Sequence, residues 1–207
     1  GERSPSLSSY EPLGPPTPLE LDSHAKVPLG GLEYVYQDYV LTLGAETPVG
    51  IVARSVGADV DLEVLGPGGD VIAFDADSGA NNSAYLEQTL PAGQHTVRVK
   101  HGSGDWHEGA YEIFAFDHTP LRLTSGQWVE GTLRKAGRAR RDHLLQVDSP
   151  SKLSLEFQKG YGSASVVDSR GQVLAKRTLG GQKSRTDPFH LTLQPGAYSV
   201  RWEYHIW

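Results

Sequence analysis

Apolar residues recur at every second position along most of this chain, in short runs that begin near Leu19. A spacing of two places the apolar side chains on one face of an extended strand, because neighbouring side chains of a strand point to opposite sides. Gly-, Pro- and Asn-rich segments separate the runs and supply the residues that tight turns require. No segment keeps a helical spacing for more than about two turns, so the pattern predicts an all-β protein.

The sequence also repeats itself. Residues 17–21, Thr-Pro-Leu-Glu-Leu, return 102 positions later as Thr-Pro-Leu-Arg-Leu at residues 119–123. Further matched blocks are residues 38–43 with 142–147, 64–72 with 166–174, and 90–98 with 193–201. A repeat of this length indicates two tandem domains. With about seven or eight short strands in each copy, we expect two antiparallel β-sandwich domains, over residues 18–118 and 119–207.

Two segments of the sequence fall outside the repeat pattern. Residues 1–17 are rich in Pro and Ser and have no apolar period, which predicts a flexible segment that acts as a linker or tail. The first copy ends in a predicted strand at residues 110–116 that has no counterpart in the second. The second domain then has an unpaired edge that recruits other chains, unless residues upstream of Leu19, a domain interface or a long terminal strand fill the gap.

Composition narrows the class of protein. The 207-residue chain contains no Cys, which excludes disulfides, thiol catalysis and Cys-ligated zinc. No segment approaches the roughly 20 apolar residues of a transmembrane helix. The chain also contains no Met, so its natural start lies elsewhere. We expect the mature form of an exported bacterial protein, periplasmic or secreted, without its leader.

Charge is unevenly divided between the two copies. Residues 1–118 hold 18 acidic and 5 basic side chains, whereas residues 119–207 hold 7 acidic and 14 basic ones. The net charges are therefore −13 and +7. Such a bipolar chain either neutralises itself, one half against the other, or presents one face to cations and another to a polyanion.

Oxygen-bearing side chains cluster in one predicted loop and at the start of one predicted strand. Carboxylates and amides around a Gly-permitted bend supply the hard ligands that calcium prefers. The same residue types are common in any surface loop, and the bidentate Glu of an EF-hand is missing, so a solvated loop is the alternative. The candidate calcium ligands are Asp75, Asp77, Asn81 and Asn82, together with Asp59 and Asp61.

Basic side chains of the second copy fall on two predicted loops. An anionic polysaccharide, lipopolysaccharide or nucleic acid would satisfy such point charges, and pairing with the acidic first copy is the alternative. No base-reading motif accompanies them, so we expect no base-specific binding of nucleic acid. The candidate polyanion-binding residues are Arg134, Lys135, Arg138, Arg140, Arg141, Lys176, Arg177, Lys183 and Arg185.

Aromatic residues concentrate near the end of the sequence, at Tyr198, Trp202, Tyr204 and Trp207. On a strand, the first three share one face. Such a stripe would stack on sugar rings or form a protein interface, and burial against the opposite sheet explains it equally well.

The first copy resembles a known family in three of its segments. Residues 59–69 read Asp-Val-Asp-Leu-Glu-Val-Leu-Gly-Pro-Gly-Gly, residues 89–99 read Thr-Leu-Pro-Ala-Gly-Gln-His-Thr-Val-Arg-Val, and residues 109–113 read Gly-Ala-Tyr-Glu-Ile. This pattern is similar to that of the bacterial pre-peptidase C-terminal domain family. In the second copy the Asp-x-Asp pair becomes Tyr161 and Ser163. The resemblance implies a non-catalytic, jelly-roll-like β-sandwich of the kind attached to exported proteins, some of which bind calcium or a polymer.

Catalytic motifs are not convincing anywhere in the chain. We find no Gly-x-Ser-x-Gly elbow, no His-Glu-x-x-His and no phosphate-binding loop that leads into a helix. We therefore expect a non-catalytic exported accessory module that binds or positions a polymer, calcium or a partner protein. The partner is then a protein or an extracellular polysaccharide. The alternatives are a periplasmic inhibitor or immunity-type protein that blocks an enzyme, and an unrecognised hydrolase.

Overall fold

The structure, a computed structural model, describes residues 10–29, 32–76, 83–101, 109–124, 140–155, 162–179 and 189–203. The chain divides into two compact units, Gly1–His118 (unit 1) and Thr119–Trp207 (unit 2). Every regular element in the described ranges is a β-strand, which confirms the all-β prediction. Within those ranges there is accordingly no helix that is long and apolar enough to cross a membrane.

Unit 1 is built from two sheets. Its described strands are β1 (Glu11–Pro12), β2 (Thr17–Leu19), β3 (His24–Pro28), β4 (Val35–Leu43), β5 (Thr47–Val56), β6 (Val60–Leu65), β7 (Val71–Asp75), β8 (Ala84–Leu90), β9 (Gly93–His101) and β10 (Ala110–Asp117). The larger sheet has the order β1-β4-β9-β6-β7, with β2 also paired to β4, and the smaller sheet has the order β3-β10-β5-β8. Paired strands run antiparallel, except that β1 and β2 lie parallel to β4.

The core of unit 1 lies between these two sheets. Alternate residues of β4, including Tyr39 and Leu41, are buried in one cluster with Ile51 of β5 and Ile113 of β10. Each buried aliphatic side chain of this size contributes about 1.5–3 kcal/mol relative to an exposed one. The period of two in the sequence is therefore explained by a sandwich in which each sheet buries one face against the other.

Strand β5 departs from the alternating pattern. Residues 49–53 are all buried, because one side of the strand faces the core and the ring of Phe116 lies over Gly50 on the other side. A Cβ atom on Gly50 would lie 2.2 Å from that ring. A run that is buried on both faces has no period of two, so the apolar pattern of the sequence does not predict β5.

Two short strands lie within the segment predicted to be a flexible linker. Glu11 pairs with Val35, Thr17 pairs with Tyr39, and the Glu11 amide donates a hydrogen bond of 2.8 Å to the Tyr34 carbonyl. The linker prediction is therefore wrong at residues 11, 12 and 17. Main-chain hydrogen bonds to the edge of an existing sheet order a segment whatever the period of its side chains.

Unit 2 repeats the larger sheet but has a narrower second sheet in the described ranges. Its strands are β11 (Leu121–Leu123), β12 (Arg140–Val147), β13 (Ser151–Leu155), β14 (Gly162–Asp168), β15 (Val173–Leu179), β16 (Phe189–Leu193) and β17 (Gly196–Glu203). The larger sheet has the order β11-β12-β17-β14-β15, with β11 parallel to β12, and the smaller sheet consists of β13 and β16. Residues 125–139, between β11 and β12, lie outside the described residues.

The two larger sheets match strand for strand. The order β4-β9-β6-β7 of unit 1 corresponds to β12-β17-β14-β15 of unit 2. The turn that follows β6 contains Gly69 at φ 82°, and its counterpart after β14 contains Gly171 at φ 81°. A positive φ favours glycine, which explains why both copies keep it at this aligned position.

A hydrogen bond between two buried phenols joins the two sheets of unit 1. The hydroxyl oxygens of Tyr39 on β4 and Tyr111 on β10 lie 2.8 Å apart, and burial raises the pKa of both. Neither hydroxyl has access to water, because each residue is only 1% exposed. Each phenol therefore depends on the other for its hydrogen bond.

We expect Tyr111→Phe to destabilise the protein by about 1–3 kcal/mol, because it leaves the Tyr39 hydroxyl buried without a partner. The double variant Tyr39→Phe/Tyr111→Phe should lose less than the sum of the two single variants, since it leaves no unsatisfied group. Chemical denaturation of the four proteins measures this coupling. Additive losses would contradict a direct bond between the two hydroxyls.

Candidate functional site on the outer sheet faces

The larger sheet of unit 1 has an outer face, formed by side chains that alternate with core residues and point away from them. Tyr36 and Asp38 on β4 lie on this face, since they alternate with the buried residues Gln37 and Tyr39. The strand registers place Asp38, Arg98, Glu63 and Phe74 in one row across β4, β9, β6 and β7. Tyr36, Lys100 and Asp61 form the neighbouring row.

Charges on this face are paired across strands. Arg98 donates two hydrogen bonds to the carboxylate of Asp38, at 2.7 and 2.8 Å, and this pairing raises the pKa of Arg98. The ammonium of Lys100 lies 2.5 Å from the carboxylate of Glu63. We call Asp38, Arg98, Glu63 and Lys100 the unit 1 charge cluster. Each charge lies beside an opposite one, so the cluster has no net charge, although Oε2 of Glu63 is buried without a hydrogen-bond partner among the described residues.

Aromatic rings flank the unit 1 charge cluster. The guanidinium carbon of Arg98 lies 4.2 Å from the centre of the Tyr36 ring, and the Lys100 ammonium lies 5.5 Å from that of Phe74. Tyr10 is 5.7 Å from the same ammonium, and burial together with nearby carboxylates, Asp61 first among them, raises its pKa. Cations held over ring faces are attracted by the ring quadrupole. The outer face of unit 1 is thus a mixed aromatic and charged surface.

Unit 2 repeats the central ion pair at the positions that the sequence repeat aligns. Arg201 on β17 donates to Asp142 on β12 at 3.0 Å, and Arg140 donates to the same carboxylate at 2.6 Å. Burial alone would raise the pKa of Asp142, but the hydrogen bonds and charges of the two arginines outweigh it and lower the pKa. The sequence repeat aligns Asp38 with Asp142 and Arg98 with Arg201, but residue spacing does not show that the acidic and basic residues contact each other. The recurrence of both residues in the repeated blocks was the signal that could have indicated the ion pair.

The structure separates the candidate calcium ligands that it describes. Asp61 lies on the outer face of β6, whereas Asp75 is paired with the core residue Leu62 and its carboxylate accepts a hydrogen bond of 2.9 Å from the Tyr85 amide. These two carboxylates therefore point to opposite faces of the sheet. The main-chain carbonyl of Asp59 bonds the His101 ring at 2.7 Å.

The candidate calcium ligands Asp77, Asn81 and Asn82 lie in a loop outside the described residues. Among the residues that are described, no three His, Asp or Glu side chains come together as a metal-binding group. Calcium binding by the loop stays a prediction.

The candidate basic residues are also divided between two faces. Arg140 and Lys176 lie on the outer face of unit 2, and Lys176 lies 3.5 Å from the carboxylate of Glu203. Arg141 and Arg177 lie on the inner face, because their register partners there include Trp202 and the buried Ala164. The remaining candidates, Arg134, Lys135, Arg138, Lys183 and Arg185, lie outside the described residues. The described members do not form one positive surface.

The aromatic candidates that are described face inward. Tyr198 packs against the core of unit 2, and its hydroxyl donates a hydrogen bond of 2.8 Å to the Gln194 carbonyl. Trp202 lies on the same face of β17, four residues further along. This arrangement favours packing over an exposed stacking surface for these two residues. Tyr204 and Trp207 lie outside the described residues.

Sequence reasoning missed the exposed apolar side chains on one edge strand of each larger sheet. On β7, Val71, Ile72 and Phe74 are exposed, Phe74 to 53%. On β15, Val173 and Leu174 are exposed, to 50% and 38%. The sequence repeat aligns residues 71–72 with residues 173–174, so the recurrence of apolar residues there could have revealed both exposed edge strands. Exposed apolar side chains on a sheet edge are candidates for an interaction surface.

Polar side chains are also buried on the inner face of unit 2. His143 on β12 is 7% exposed. Within the described part of the chain, neither its Nδ1 atom nor the buried Nε atom of Arg141 has a hydrogen-bond partner. Burial, followed by the charge of Arg141, lowers the pKa of His143 despite the opposing charge of Asp142. The imidazole is therefore held neutral at physiological pH.

No protein family matches the chain, and no curated protein matches it. Among solved structures, the pre-peptidase C-terminal domain of collagenase from Bacillus anthracis is 15% identical and covers 48% of this chain and 93% of its own, with a TM-score of 0.41. The PBSX exported protein XepA is 11% identical and covers 89% of this chain and 82% of its own, with a TM-score of 0.28. At these scores neither likeness establishes a shared family or function.

We expect Asp142→Asn to destabilise the protein by about 1–3 kcal/mol, because two arginines then lose a partly buried counter-charge. Asp148→Asn is the matched control, since it removes the same charge from an exposed position of the same unit. The control should change stability by no more than about 0.5 kcal/mol. Thermal unfolding of both variants measures the difference, and equal effects would show that the Asp142 pair is not structural.

Acidification should destabilise unit 2 through His143. Its pKa is lowered in the folded state, so below the usual value of about 6.5 the unfolded chain binds a proton that the folded chain does not. Stability is therefore complete above about pH 6.5 and falls as the pH drops towards the folded-state pKa. The melting temperature of His143→Gln should fall less than that of the parent between about pH 7.5 and 5.5. Identical slopes would contradict this assignment.

Proposed function

We propose that the chain is a non-catalytic, exported bacterial accessory module that binds an extracellular polymer or a partner protein through the outer surfaces of its sheets. The observation that carries this proposal is the repeated exposure of apolar side chains on β7 and β15. A duplicated sandwich would not keep such residues exposed at aligned positions for stability, because apolar side chains stabilise a fold only when they are buried. Contact with a ligand would explain why apolar residues are exposed at both aligned positions.

The buried polar groups of unit 1 support a role without catalysis. His95 and His101 bond the main-chain carbonyls of Pro91 and Asp59, at 2.8 and 2.7 Å. A ring nitrogen that bonds a main-chain carbonyl favours a structural role for these two histidines over that of a base for a nucleophile.

Two further ligands belong to the same proposal. Calcium would bind the loop around Asp77, Asn81 and Asn82, with Asp75 at its start. A polyanion would bind the basic residues of unit 2, of which Arg140 and Lys176 already have acidic neighbours on the outer face. An inhibitor or immunity-type protein is the second candidate function, because exposed apolar edge strands fit a protein partner as well as a polymer.

Substitution of the exposed edge residues tests the proposal. The double variants Ile72→Ser/Phe74→Ser and Val173→Ser/Leu174→Ser should each lower retention on insoluble polysaccharides or peptidoglycan by about tenfold, because each removes apolar contact area. Val56→Ser is the matched control, since Val56 is 41% exposed but lies on β5. Co-sedimentation at several salt concentrations measures retention.

The salt dependence of binding distinguishes binding through the apolar edges from binding of a polyanion. Binding through apolar edges should change little with salt, whereas binding of a polyanion to arginines and lysines weakens steeply. Stoichiometric inhibition of one enzyme, without retention on any polymer, would favour the inhibitor function. Hydrolysis of a probe that a single Ser or Asp substitution abolishes would overturn the non-catalytic proposal.

A further inference from the structure

A row of uncharged side chains crosses the outer face of the larger sheet in unit 1, beside the row that contains Asp38. Its members are Val40 on β4, Thr96 on β9, Leu65 on β6 and Val71 on β7, each of which pairs in register with the next. We call these residues, together with Ile72, the unit 1 row. Neighbouring strands are about 4.8 Å apart, so the row is roughly 14 Å long.

Unit 2 has the same row at the aligned positions. Its members are Leu144 on β12, Ser199 on β17, Val167 on β14 and Val173 on β15, again paired in register. We call these residues, together with Leu174, the unit 2 row. The repeated blocks of the sequence align each member with its counterpart in unit 1. Both units therefore have an apolar residue, a hydroxyl-bearing residue and two further apolar residues in the same order across the sheet.

Both rows end in an irregular edge strand. The register between β6 and β7 shifts at Leu65, which leaves Ile72 as an additional residue beside Val71. The register between β14 and β15 shifts at Val167 and adds Leu174 in the same way. A β-bulge at a sheet edge re-aims side chains. The same shift in both units therefore places two consecutive apolar residues at the end of each row.

The exposed parts of both rows are aliphatic. Val71 and Ile72 are 48% and 43% exposed, and Leu144, at the β12 end of the unit 2 row, is 47% exposed. Aliphatic side chains have no ring face to stack on a sugar and no group to hydrogen-bond its hydroxyls. They are buried most efficiently against other apolar side chains, as in the centre of a protein–protein interface. Of the two ligand classes in the proposed function, the rows therefore favour a protein.

A second copy of this chain has the properties that such a partner needs. Its two larger sheets have matching strand orders, and sheets of similar twist pack face to face with interdigitated side chains. The net charge is −13 for residues 1–118 and +7 for residues 119–207. Opposite net charges attract the unlike units of two copies, whereas the like units repel each other.

We propose that the unit 1 row of one copy of this chain docks on the unit 2 row of a second copy, so that the chain self-associates through unlike units. This inference rests on the proposed function and identifies its partner protein as another copy. Burial of the aliphatic side chains supplies the affinity. The opposite charges of the two units select the unlike pair and disfavour the two like pairs.

One substitution in each row tests the proposal on the full chain. Ile72→Lys puts a positive charge opposite the basic unit 2, and Leu144→Glu puts a negative charge opposite the acidic unit 1. Sedimentation velocity over a dilution series measures self-association. We expect the parent chain to self-associate, less tightly at high salt, and each variant alone to associate about 100-fold more weakly.

An equimolar mixture of the two variants distinguishes unlike from like pairing. In the mixture, the unsubstituted unit 2 of the Ile72→Lys chain meets the unsubstituted unit 1 of the Leu144→Glu chain, which restores one intact contact. We expect a one-to-one complex that forms at least about tenfold more tightly than either variant associates alone. Formation of this complex also shows that both variants are folded.

Matched controls make the same charge changes away from the rows. Val56→Lys changes a residue of β5 that is 41% exposed, and Leu121→Glu changes a residue of β11 that is 37% exposed. Leu121 pairs with His143, which faces inward, so it lies on the opposite face from the unit 2 row. Both controls should keep the self-association of the parent within about twofold.

Three results would overturn the proposal: a parent chain that stays monomeric at every concentration, self-association that neither row variant weakens, and a mixture that associates no better than its components. The polymer arm of the proposed function fails separately, because self-association is measured without polymer. A chain that self-associates but is retained on no polymer supports this inference. A chain that is retained on polymer while it remains monomeric overturns it.

Discussion

A β-sandwich buries the apolar positions of a wide sheet only where a second sheet of similar width lies opposite them. Unit 1 meets this constraint, because its smaller sheet has the four strands β3, β10, β5 and β8. In the described part of unit 2, two strands face a larger sheet of the same strand order. Among the described residues of unit 2, the leucines of β13 are half-buried, whereas their counterparts Val49 and Ile51 in unit 1 are fully buried.

The outer faces obey a different constraint, that charges on a sheet surface are most stable when neighbouring strands supply the opposite sign. The Asp38–Arg98 pair and its copy, Asp142–Arg201, satisfy this constraint in both units. Arg140, a candidate polyanion-binding residue, is paired with the same Asp142 carboxylate. The exposed apolar side chains of β7 and β15 are the surfaces through which we propose binding.

Much of the fold was predictable from the sequence, because half-buried strands have a period of two and the repeat doubles the signal. Strand β5 was not predictable in this way, since Gly50 and Phe116 make it buried on both faces. The described members of the candidate basic cluster are divided for a related reason: Arg140 and Arg141 are adjacent in sequence, and adjacent residues of a strand point to opposite faces. Cross-strand pairs such as Asp142 with Arg201 depend on register, which residue spacing alone does not give.

The two-stranded second sheet in the described part of unit 2 is the central claim, and hydrogen exchange of its main-chain amides tests it most directly. Alternate amides of an edge strand have no partner and exchange fast, whereas a strand with neighbours on both sides is protected throughout. For the chain alone, the account predicts fast exchange at every second amide of β13 and slow exchange along residues 49–53 of β5. Uniform protection of β13, equal to that of β5, would contradict it.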